Sequence, residues 1–467
     1  MNWMRLAALL ALPVVLHAQT WSVQEIPDPQ GFRVDDWFLV DANGDGEKDI
    51  LWMDPAGARC ALQLFPFTEA PLLCNLPTEM RAFQFAEVVD PPGEDLLLLH
   101  AGGVLVLAGC TGSPRPWLAA PLAFTGTLRD GCPCLGWGRD VTGDGHEEIL
   151  LPTPEGEMVV LWGADGKPSG LQRIGPRPRV VHTRGGGGLF SERLEFPRAE
   201  LLATGAQRAA LAIVLDAQGL ARLLPAGDAM EPVFIFPGAP SKAFGQLERV
   251  ECSVEDLDGS GTDAVLVART RVDEARIPEP RTELLLYRQG AREPAGVLLL
   301  AGLLSAGPEL VDLDGDGDKD LLLALVPAGV AGELQKLSGR LPVTWHIWFH
   351  DKGAMPWGRS PDFTWTDTLD PPSLERWGLR HRLLVGPDQN GDGLLDLASL
   401  ARKDEAWCIT TWLQTRDKGA RFQKTGESTR LVSGPLHSMS STQCGKERAL
   451  VFRQPAAFLL ARPGKKR

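Results

Sequence analysis

Five short stretches of this 467-residue chain place oxygen-bearing side chains at alternate positions around glycines. The most complete is DLDGDGDKDLLL at 312–323, where aspartates stand at positions 1, 3, 5, 7 and 9. Alternate residues of a tight loop can point at one centre, and glycine permits the necessary curvature. Converging carboxylates repel one another unless a hard cation neutralises them, and several oxygen ligands suit Ca²⁺ better than Mg²⁺ or Zn²⁺. The spacing therefore predicts a calcium site.

The other four stretches are graded versions of this loop. They read DANGDGEKDILW (41–52), DVTGDGHEEILL (140–151), DLDGSGTDAVLV (256–267) and DQNGDGLLDLAS (388–399). The predicted ligands are Asp41, Asn43, Asp45 and Asp49; Asp140, Thr142, Asp144 and Glu148; Asp256, Asp258 and Ser260; Asp312, Asp314, Asp316 and Asp320; and Asp388, Asn390, Asp392 and Asp396. Position 7 in comparable loops uses its backbone carbonyl, so Asp318 is not counted. In the 256 loop position 9 is Ala264 and the acid has moved to Asp263, which leaves that series incomplete.

Acidic turns without a metal and EF-hands are the alternatives to this kind of calcium loop. Asx-type turns would account for a single loop, but repetition of nearly the same ligand series favours a metal site. An EF-hand needs flanking helices and a glutamate at position 12. Here apolar, strand-like runs follow the loops and position 12 is Trp52, Leu151, Leu323 or Ser399. The EF-hand is therefore rejected.

The loops recur with a period that predicts the fold. Two degenerate echoes, VVDPPGEDLLLLH (88–100) and LLATGAQRAALAIVL (201–215), fill the large gaps. Motif starts then fall near 41, 90, 140, 203, 256, 312 and 388. This spacing is typical of four-stranded propeller blades. We predict an all-β, seven-bladed β-propeller over 19–467, in which TWSVQEIP (20–27) pairs with the end of the chain and closes the ring.

The stretches DANGDGEKDILW and DLDGDGDKDLLL resemble the FG-GAP or VCBS-type repeat of secreted and cell-surface proteins. That repeat is related to the calcium-loop blades of the integrin α-subunit propeller. The resemblance extends over five clear and two degenerate units, from about residue 20 to about residue 460. It implies a calcium-binding propeller. It does not select an activity, because the family includes adhesins, lectin-like proteins and enzyme appendages.

The first 18 residues predict a cleaved secretory signal. Arg5 precedes an apolar run that ends at Leu16, and LHA stands before Gln19. The run is too short to span a bilayer, and no other segment is long and apolar enough to cross one. We therefore expect a secreted, periplasmic or cell-surface protein without a membrane span.

Composition agrees with this compartment. Eight cysteines suit an oxidising environment, and Cys60–Cys74 and Cys408–Cys444 are plausible local disulfides, although eight thiols allow many pairings. The net charge of −13 argues against a nucleic-acid-binding surface. Partners are therefore expected to be extracellular proteins or glycans, and the oligomeric state stays open.

A tryptophan-rich region offers a possible ligand surface. It comprises Trp345, His346, Trp348, His350, Trp357, Trp365 and Trp377. Exposed aromatic rings there would suit stacking on sugars or docking of a partner protein, whereas the alternative is that they pack between blades. The sequence thus predicts a calcium-binding adhesion or binding scaffold, with no catalytic residue assigned. The alternatives are an extracellular carbohydrate-active lyase or hydrolase, and a purely structural envelope protein.

Overall fold

The computed structural model describes residues 21–463 with gaps. Outside the description lie 33–35, 55–57, 90–92, 125–131, 141–145, 163–165, 174–178, 185–189, 196–198, 203–210, 216–218, 224–229, 236–249, 273–279, 289–290, 292, 328–340, 352–354, 370–382, 404–405, 418–420, 434–435, 437, 445–446 and 455. The predicted signal segment therefore lies outside the described residues. Within them, helical structure is limited to one 3₁₀ turn at Ala108–Cys110, and no helix could cross a membrane.

The described chain is all-β and consists of consecutive antiparallel sheets, mostly of four strands joined to their neighbours in chain order. Sheet 1 contains β2 (Asp36–Val40), β3 (Asp49–Asp54), β4 (Arg59–Gln63) and β5 (Leu72–Asn75). Sheet 2 contains β6 (Ala82–Ala86), β7 (Asp95–His100), β8 (Gly103–Leu107) and β9 (Arg115–Ala119), with β10 (Cys134–Trp137) parallel to β6. Sheet 3 contains β11 (Leu150–Thr153), β12 (Gly156–Trp162) and β13 (Pro168–Arg173). A separate hairpin follows, β14 (Arg179–Arg184) with β15 (Phe190–Glu195).

The second half of the chain repeats the four-stranded arrangement without interruption. Sheet 4 contains β16 (Ala199–Leu202), β17 (Leu211–Leu215), β18 (Gly219–Leu223) and β19 (Met230–Ile235). Sheet 5 contains β20 (Val250–Glu255), β21 (Ala264–Val272), β22 (Pro280–Tyr287) and β23 (Gly296–Ala301). Sheet 6 contains β24 (Leu303–Val311), β25 (Asp320–Val326), β26 (Leu341–Trp348) and β27 (Phe363–Leu369). Sheet 7 contains β28 (Leu383–Val385), β29 (Leu397–Lys403), β30 (Ala406–Gln414) and β31 (Phe422–Ser433).

Sheet 8 is built from both ends of the chain. Its last three strands are β32 (Ser438–Cys444), β33 (Glu447–Gln454) and β34 (Ala457–Pro463). The fourth strand is β1 (Trp21–Pro27), which pairs antiparallel with β34 from Trp21↔Pro463 to Pro27↔Ala457. The predicted pairing of the chain ends is therefore present, and it covers an edge of β34 that would otherwise expose unpaired backbone groups.

The second strand of a sheet is buried on both faces, which accounts for the uninterrupted apolar run after each loop. Side chains alternate between the faces of a strand. Ile50 and Trp52 of β3 accordingly pack with sheet 8, whereas Leu51 and Met53 pack with sheet 2. In β25, Leu321 and its alternate residues pack on sheet 5, and the residues between them pack on sheet 7. A strand covered on both sides has no polar face to solvate.

Apolar clusters join consecutive sheets wherever side chains are described on both sides. Such clusters lie between sheets 1 and 2, 2 and 3, 5 and 6, 6 and 7, 7 and 8, and 8 and 1. Side chains between residues 174 and 251 are outside the description. Face-to-face packing of successive four-stranded sheets, with the last sheet against the first, is the arrangement of a β-propeller.

The number of sheets differs from the prediction. The described residues form eight sheets of three or more strands, against seven predicted units. The extra unit is sheet 8, whose first two strands, β32 and β33, meet at a short turn that carries no acidic motif. Counting acidic motifs therefore missed sheet 8, because its strands have the usual order but the connection between β32 and β33 has no acidic motif.

The predicted disulfides are not formed. Cys60 and Cys74 lie directly opposite each other on β4 and β5 and their side chains hydrogen-bond, but both are free thiols. Cys408 is also free, and the side chain of Cys444 lies outside the described residues. Cys60, Cys74 and the nearby Cys110 are buried in the cluster between sheets 1 and 2, where a thiol packs as a small apolar group.

Candidate functional site

The loops at 41, 256, 312 and 388 connect the first and second strands of their sheets and share one conformation. The glycines at positions 4 and 6 have positive φ in all four loops, as at Gly315 (+74°) and Gly317 (+93°), where a side chain would be strained. The position-1 aspartate accepts hydrogen bonds from N–H groups across the loop. In the 41 loop these come from Asp45 (3.1 Å) and Gly46 (2.9 Å) to Asp41. The loop is therefore shaped by its own acceptors.

The 312 loop brings the predicted ligands closest together. One carboxylate oxygen each from Asp312, Asp314 and Asp320 lies within 4.8 Å of the other two. Asp314 Oδ1 is buried without a hydrogen-bond partner, although a buried carboxylate oxygen normally needs one. Arg421 approaches this group from the side, with its Nη1 4.0 Å from Asp314 Oδ2. This donor set, hard oxygen atoms with one unsatisfied, fits a hard cation such as calcium.

The loops at 41 and 388 use an asparagine in place of the position-3 aspartate. The side-chain oxygen of Asn390 accepts the N–H of Asp392 at 3.0 Å, and its amide nitrogen donates to the Asp392 carboxylate at 2.9 Å. Asn43 makes the same pair of contacts with Asp45. These two loops therefore hold their alternate oxygens in the same order as the 312 loop.

The 140 loop is only partly described. Asp140 is exposed and Glu148 is buried, but 141–145 lie outside the described residues, and with them Thr142 and Asp144. The backbones of Arg139 and Glu148 form an isolated antiparallel bridge across the base of this loop. The prediction of a fourth full ligand series therefore stays a prediction.

The aspartate at position 9 has a structural role that the spacing did not reveal. Asp320 is buried and accepts N–H groups from Leu313 at position 2 (2.8 Å) and from His350 after the third strand (2.7 Å). Asp396 makes the equivalent contacts with Gln389 and Gln414, both at 2.7 Å. Asp49 accepts from Ala42 (3.1 Å) and Phe65 (2.8 Å). The buried acids at position 9 thus form a repeated backbone anchor.

The second sheet shows the same anchor without the rest of the ligand series. Asp95 is buried and accepts the N–H groups of Val88 (3.0 Å) and Gly109 (2.7 Å). With Asp95 as position 9, Glu87 is position 1 of the loop. The sequence placed the start of this loop near 90, three residues later. The anchor is therefore separable from metal binding, since it occurs in a unit that lacks alternating ligands.

Neighbouring loops are hydrogen-bonded to one another through position 8. The N–H of Lys319 donates to the carbonyl of Leu257 at 2.8 Å, and the N–H of Leu395 donates to that of Leu313 at 2.9 Å. Glutamates at position 8 use their side chains as well. Glu94 accepts from the N–H of Asp41 and pairs with Lys48 at 2.9 Å, and Glu147 accepts the N–H of Glu87 at 2.7 Å. The backbone at position 8, and a glutamate there, therefore reach the preceding loop, whereas Lys48 at position 8 of the 41 loop reaches Glu94 of the next sheet. Position 9 faces its own loop.

Electrostatics in these loops are those of buried, crowded carboxylates. Burial raises the pKa of Asp320 and of Asp396 to about 7, and that of Asp49 to about 6. The two N–H groups that donate to each carboxylate act in the opposite direction, because they stabilise its ionised form. Neighbouring carboxylates of the same loop add to the rise. Burial likewise raises the pKa of Asp314. A cation among these groups would remove a penalty that the folded chain otherwise bears.

The predicted tryptophan surface is largely part of the core. Trp345, Trp348 and Trp357 are 2%, 0% and 1% exposed, so the prediction of a ligand surface is wrong for them. Trp365 is partly buried against Trp345 at a ring distance of 4.9 Å. Trp377 lies outside the described residues. Trp345 and Trp348 are buried because β26, which carries them, lies inside sheet 6, between sheets 5 and 7.

The two histidines of this region are also enclosed. Burial lowers the pKa of His346, whose Nδ1 is buried without a partner. His350 is 7% exposed in its side chain, and its Nδ1 lies 3.2 Å from Asp318. They are not gathered with Tyr287, which belongs to sheet 5 and is fully buried. Burial raises the pKa of Tyr287 to about 12, which keeps its phenol protonated at neutral pH.

An exposed aromatic occurs instead at Trp137, which the sequence did not single out. Its ring stacks on Phe85 at 4.3 Å with an interplanar angle of 21°, yet it remains 46% exposed. Leu135, two residues earlier in β10, is also exposed. No periodic signal marks these residues, because β10 is short and contains Gly136.

Comparison with known proteins does not place the chain in a family. No protein-family profile matches it, and no curated protein matches it in sequence. Among solved structures it is similar to an Agrocybe aegerita lectin that recognises non-reducing terminal N-acetylglucosamine (14% identity, TM-score 0.36), over 90% of this chain and 85% of the lectin. It is also similar to the Nup133 β-propeller domain of Vanderwaltozyma polyspora (9% identity, TM-score 0.38; 96% and 98% covered) and to BBS1N in its complex with ARL6DN (10%, 0.36; 96% and 97%). The assignment of the fold rests on the strand order and inter-sheet packing described above.

The anchor in sheet 2 can be tested by Asp95→Ala. We expect the free energy of unfolding to fall by about 2–4 kcal/mol, because two partly buried N–H groups lose their acceptor, each at about 1–2 kcal/mol in the lower part of the range for buried groups. Chemical denaturation measures the change, and Glu79→Ala, which removes an exposed acid, should stay within about 0.5 kcal/mol of the parent. Equal stability of the two variants would contradict the anchor.

The raised pKa values predict a pH dependence in buffer containing EDTA. The folded chain binds protons at Asp320 and Asp396 more tightly than the unfolded chain, so this contribution to stability is complete below about pH 4 and is lost as pH rises through about 7. Asp320→Asn removes one such group. Its stability relative to the parent should therefore improve from pH 5 to pH 8, by about 1.4 kcal/mol for each tenfold difference in proton affinity. Parallel stability curves would contradict the assignment.

Proposed function

We propose that this chain is a secreted calcium-binding β-propeller of the FG-GAP or VCBS type that serves as an extracellular binding scaffold. In this proposal the eight sheets are the blades of one ring, and the loops at 41, 312 and 388, with the 140 loop, hold calcium. The observation that carries it is the group of Asp312, Asp314 and Asp320, whose oxygens converge within 4.8 Å and include an unsatisfied buried atom. The recurrence of the same conformation in other sheets supports it further.

Calcium would act here as a structural tie. Asp312 follows the first strand of sheet 6 and Asp320 begins the second, so an ion bound to both would link the two strands beside the loop. The ion would also neutralise carboxylates that the fold buries. Since position 8 joins each loop to the preceding one, ordering one loop supports its neighbour.

Calcium should therefore stabilise the chain. For a Kd on the order of 10⁻⁴ M, typical of extracellular modules, 10 mM calcium adds about 2.7 kcal/mol per site. Asp316→Asn removes the position-5 carboxylate, which is an aspartate in every loop proposed to hold calcium. It should lower the calcium-dependent rise in melting temperature, and calorimetry should show one ion fewer. Glu79→Gln is the matched control, because it removes the same charge from an exposed site outside the loops. Absence of any bound calcium in the parent would overturn this part of the proposal.

A ligand surface for the scaffold is offered by Trp137 rather than by the buried tryptophans. One face of its indole is held by Phe85, which leaves the other face open at little cost in side-chain entropy. The apolar face of a pyranose ring stacks well on such a surface. β10 lies beside β6, the first strand of sheet 2, so in a propeller this surface belongs to the central channel. This arrangement favours a glycan as the ligand.

Glycan binding can be tested on an array with the mature chain in calcium. Trp137→Ala should weaken binding of the best glycan by roughly two- to tenfold, because aromatic stacking contributes about 0.5–1.5 kcal/mol. Leu299→Ala is the matched control, since it removes an exposed apolar side chain from the outer strand of sheet 5. Equal binding by the two variants would refute the role of Trp137, and a protein ligand alone would refute the glycan.

A further inference from the structure

The fifth acidic loop, at 256, keeps the shape of the others but not their donors. Asp256 accepts the N–H groups of Ser260 (3.1 Å) and Gly261 (2.7 Å), as the position-1 aspartates of the other loops do. Position 5 is a serine, and position 9 is Ala264, a buried methyl group where the 312 loop has Asp320. Of the alternating series only two carboxylates remain, which is too few for the six to eight oxygen ligands that calcium takes without many waters.

The acid at position 8 does not replace the missing one. Adjacent residues at the start of a strand point to opposite sides, and a glutamate at position 8 reaches the preceding loop elsewhere in the chain. Asp263 follows this rule. Its carboxylate is fully buried and lies 2.6 Å from the guanidinium of Arg139, which stands at the base of the 140 loop. Asp263 is thus engaged by Arg139 from the base of the 140 loop, although the residue also lines the cleft beside Asp258 and Ser260.

A second guanidinium faces the loop from the third strand of its own sheet. Arg288 directly follows β22, and its Nη1 lies 3.6 Å from Asp258 Oδ2. Both residues line a cleft that also contains Ser260, Asp263 and Ala264. The positive charge beside Asp258 is therefore supplied by the chain itself.

We propose that the 256 loop does not bind calcium, and that Arg288 supplies the positive charge that the ion supplies in the loops at 41, 312 and 388. This inference rests on the proposed calcium binding of those loops. It extends that proposal to sheet 5, where the 256 loop is ordered without the metal because the Arg288 side chain neutralises Asp258. The exposed ion pair need contribute little stability, since its role is to neutralise Asp258.

Calcium stoichiometry tests the assignment. The mature chain and two variants, Asp258→Asn and Asp316→Asn, are dialysed against calcium and their bound metal is measured. Asparagine keeps an acceptor for the loop N–H groups, so both variants should remain folded. We expect Asp258→Asn to bind as many ions as the parent and Asp316→Asn to bind one fewer. Loss of one ion from Asp258→Asn would overturn the inference, whereas a parent that binds none would instead overturn the proposed function.

A gain of binding provides the complementary test. Ala264→Asp combined with Arg288→Gln restores the position-9 acid and removes the competing charge. We expect this double variant to bind one more ion than the parent and to show a larger calcium-induced rise in melting temperature. A folded double variant with unchanged stoichiometry would show that these two residues do not determine the exclusion of calcium, and would overturn the role given to Arg288.

Discussion

In at least four sheets, a buried carboxylate at the start of the second strand connects the loop before that strand to the end of the third strand through hydrogen bonds. Asp49, Asp95, Asp320 and Asp396 each accept one N–H from the loop before the strand and one from the last residue of the third strand or from the residues just after it. Because an ionised carboxylate is costly to bury, these hydrogen bonds do not by themselves restore its pKa. The same carboxylate thus links the backbone of each sheet and leaves a buried negative charge that a positive charge nearby would stabilise.

The sheets differ in how the negative charge of their loops is neutralised. In sheet 6 three carboxylates converge, and Arg421 reaches only the outer oxygen of Asp314 while Asp314 Oδ1 stays unsatisfied, which favours a metal ion. In sheet 5 the loop has lost two carboxylates of the alternating series, and arginines face two of its remaining acids. In sheet 2 the anchor acid remains with Glu87 at position 1, and Glu94 nearby is paired with Lys48. Loops that have lost acidic ligands therefore contain fewer carboxylates whose negative charge has to be neutralised.

Much of the architecture was predictable because it depends on local patterns. Alternating oxygens with two glycines marked the loops, and the following apolar runs marked strands that are covered on both faces. The strand before the first motif could be paired with the chain end because a ring leaves no other partner. Sheet 8 was missed because its first connection has no acid, and the anchor of sheet 2 was placed three residues late because Glu87 replaces the usual aspartate. The tryptophans at 345–357 were ambiguous, because an aromatic residue in a strand has the same spacing whether it is buried or exposed.

What the sequence by itself determined is therefore the repeating unit: a turn shaped by glycine and aspartate, followed by a strand without a polar face. Both features act over about twelve residues in the printed motifs, so they can be recognised in one dimension. Only the tertiary structure decided which groups meet across units. It placed Arg139 on Asp263, 124 residues away, brought β1 to β34, and left Trp137 exposed while burying Trp348. These outcomes depend on the packing of distant sheets, because burial and charge pairing are properties of neighbours in space.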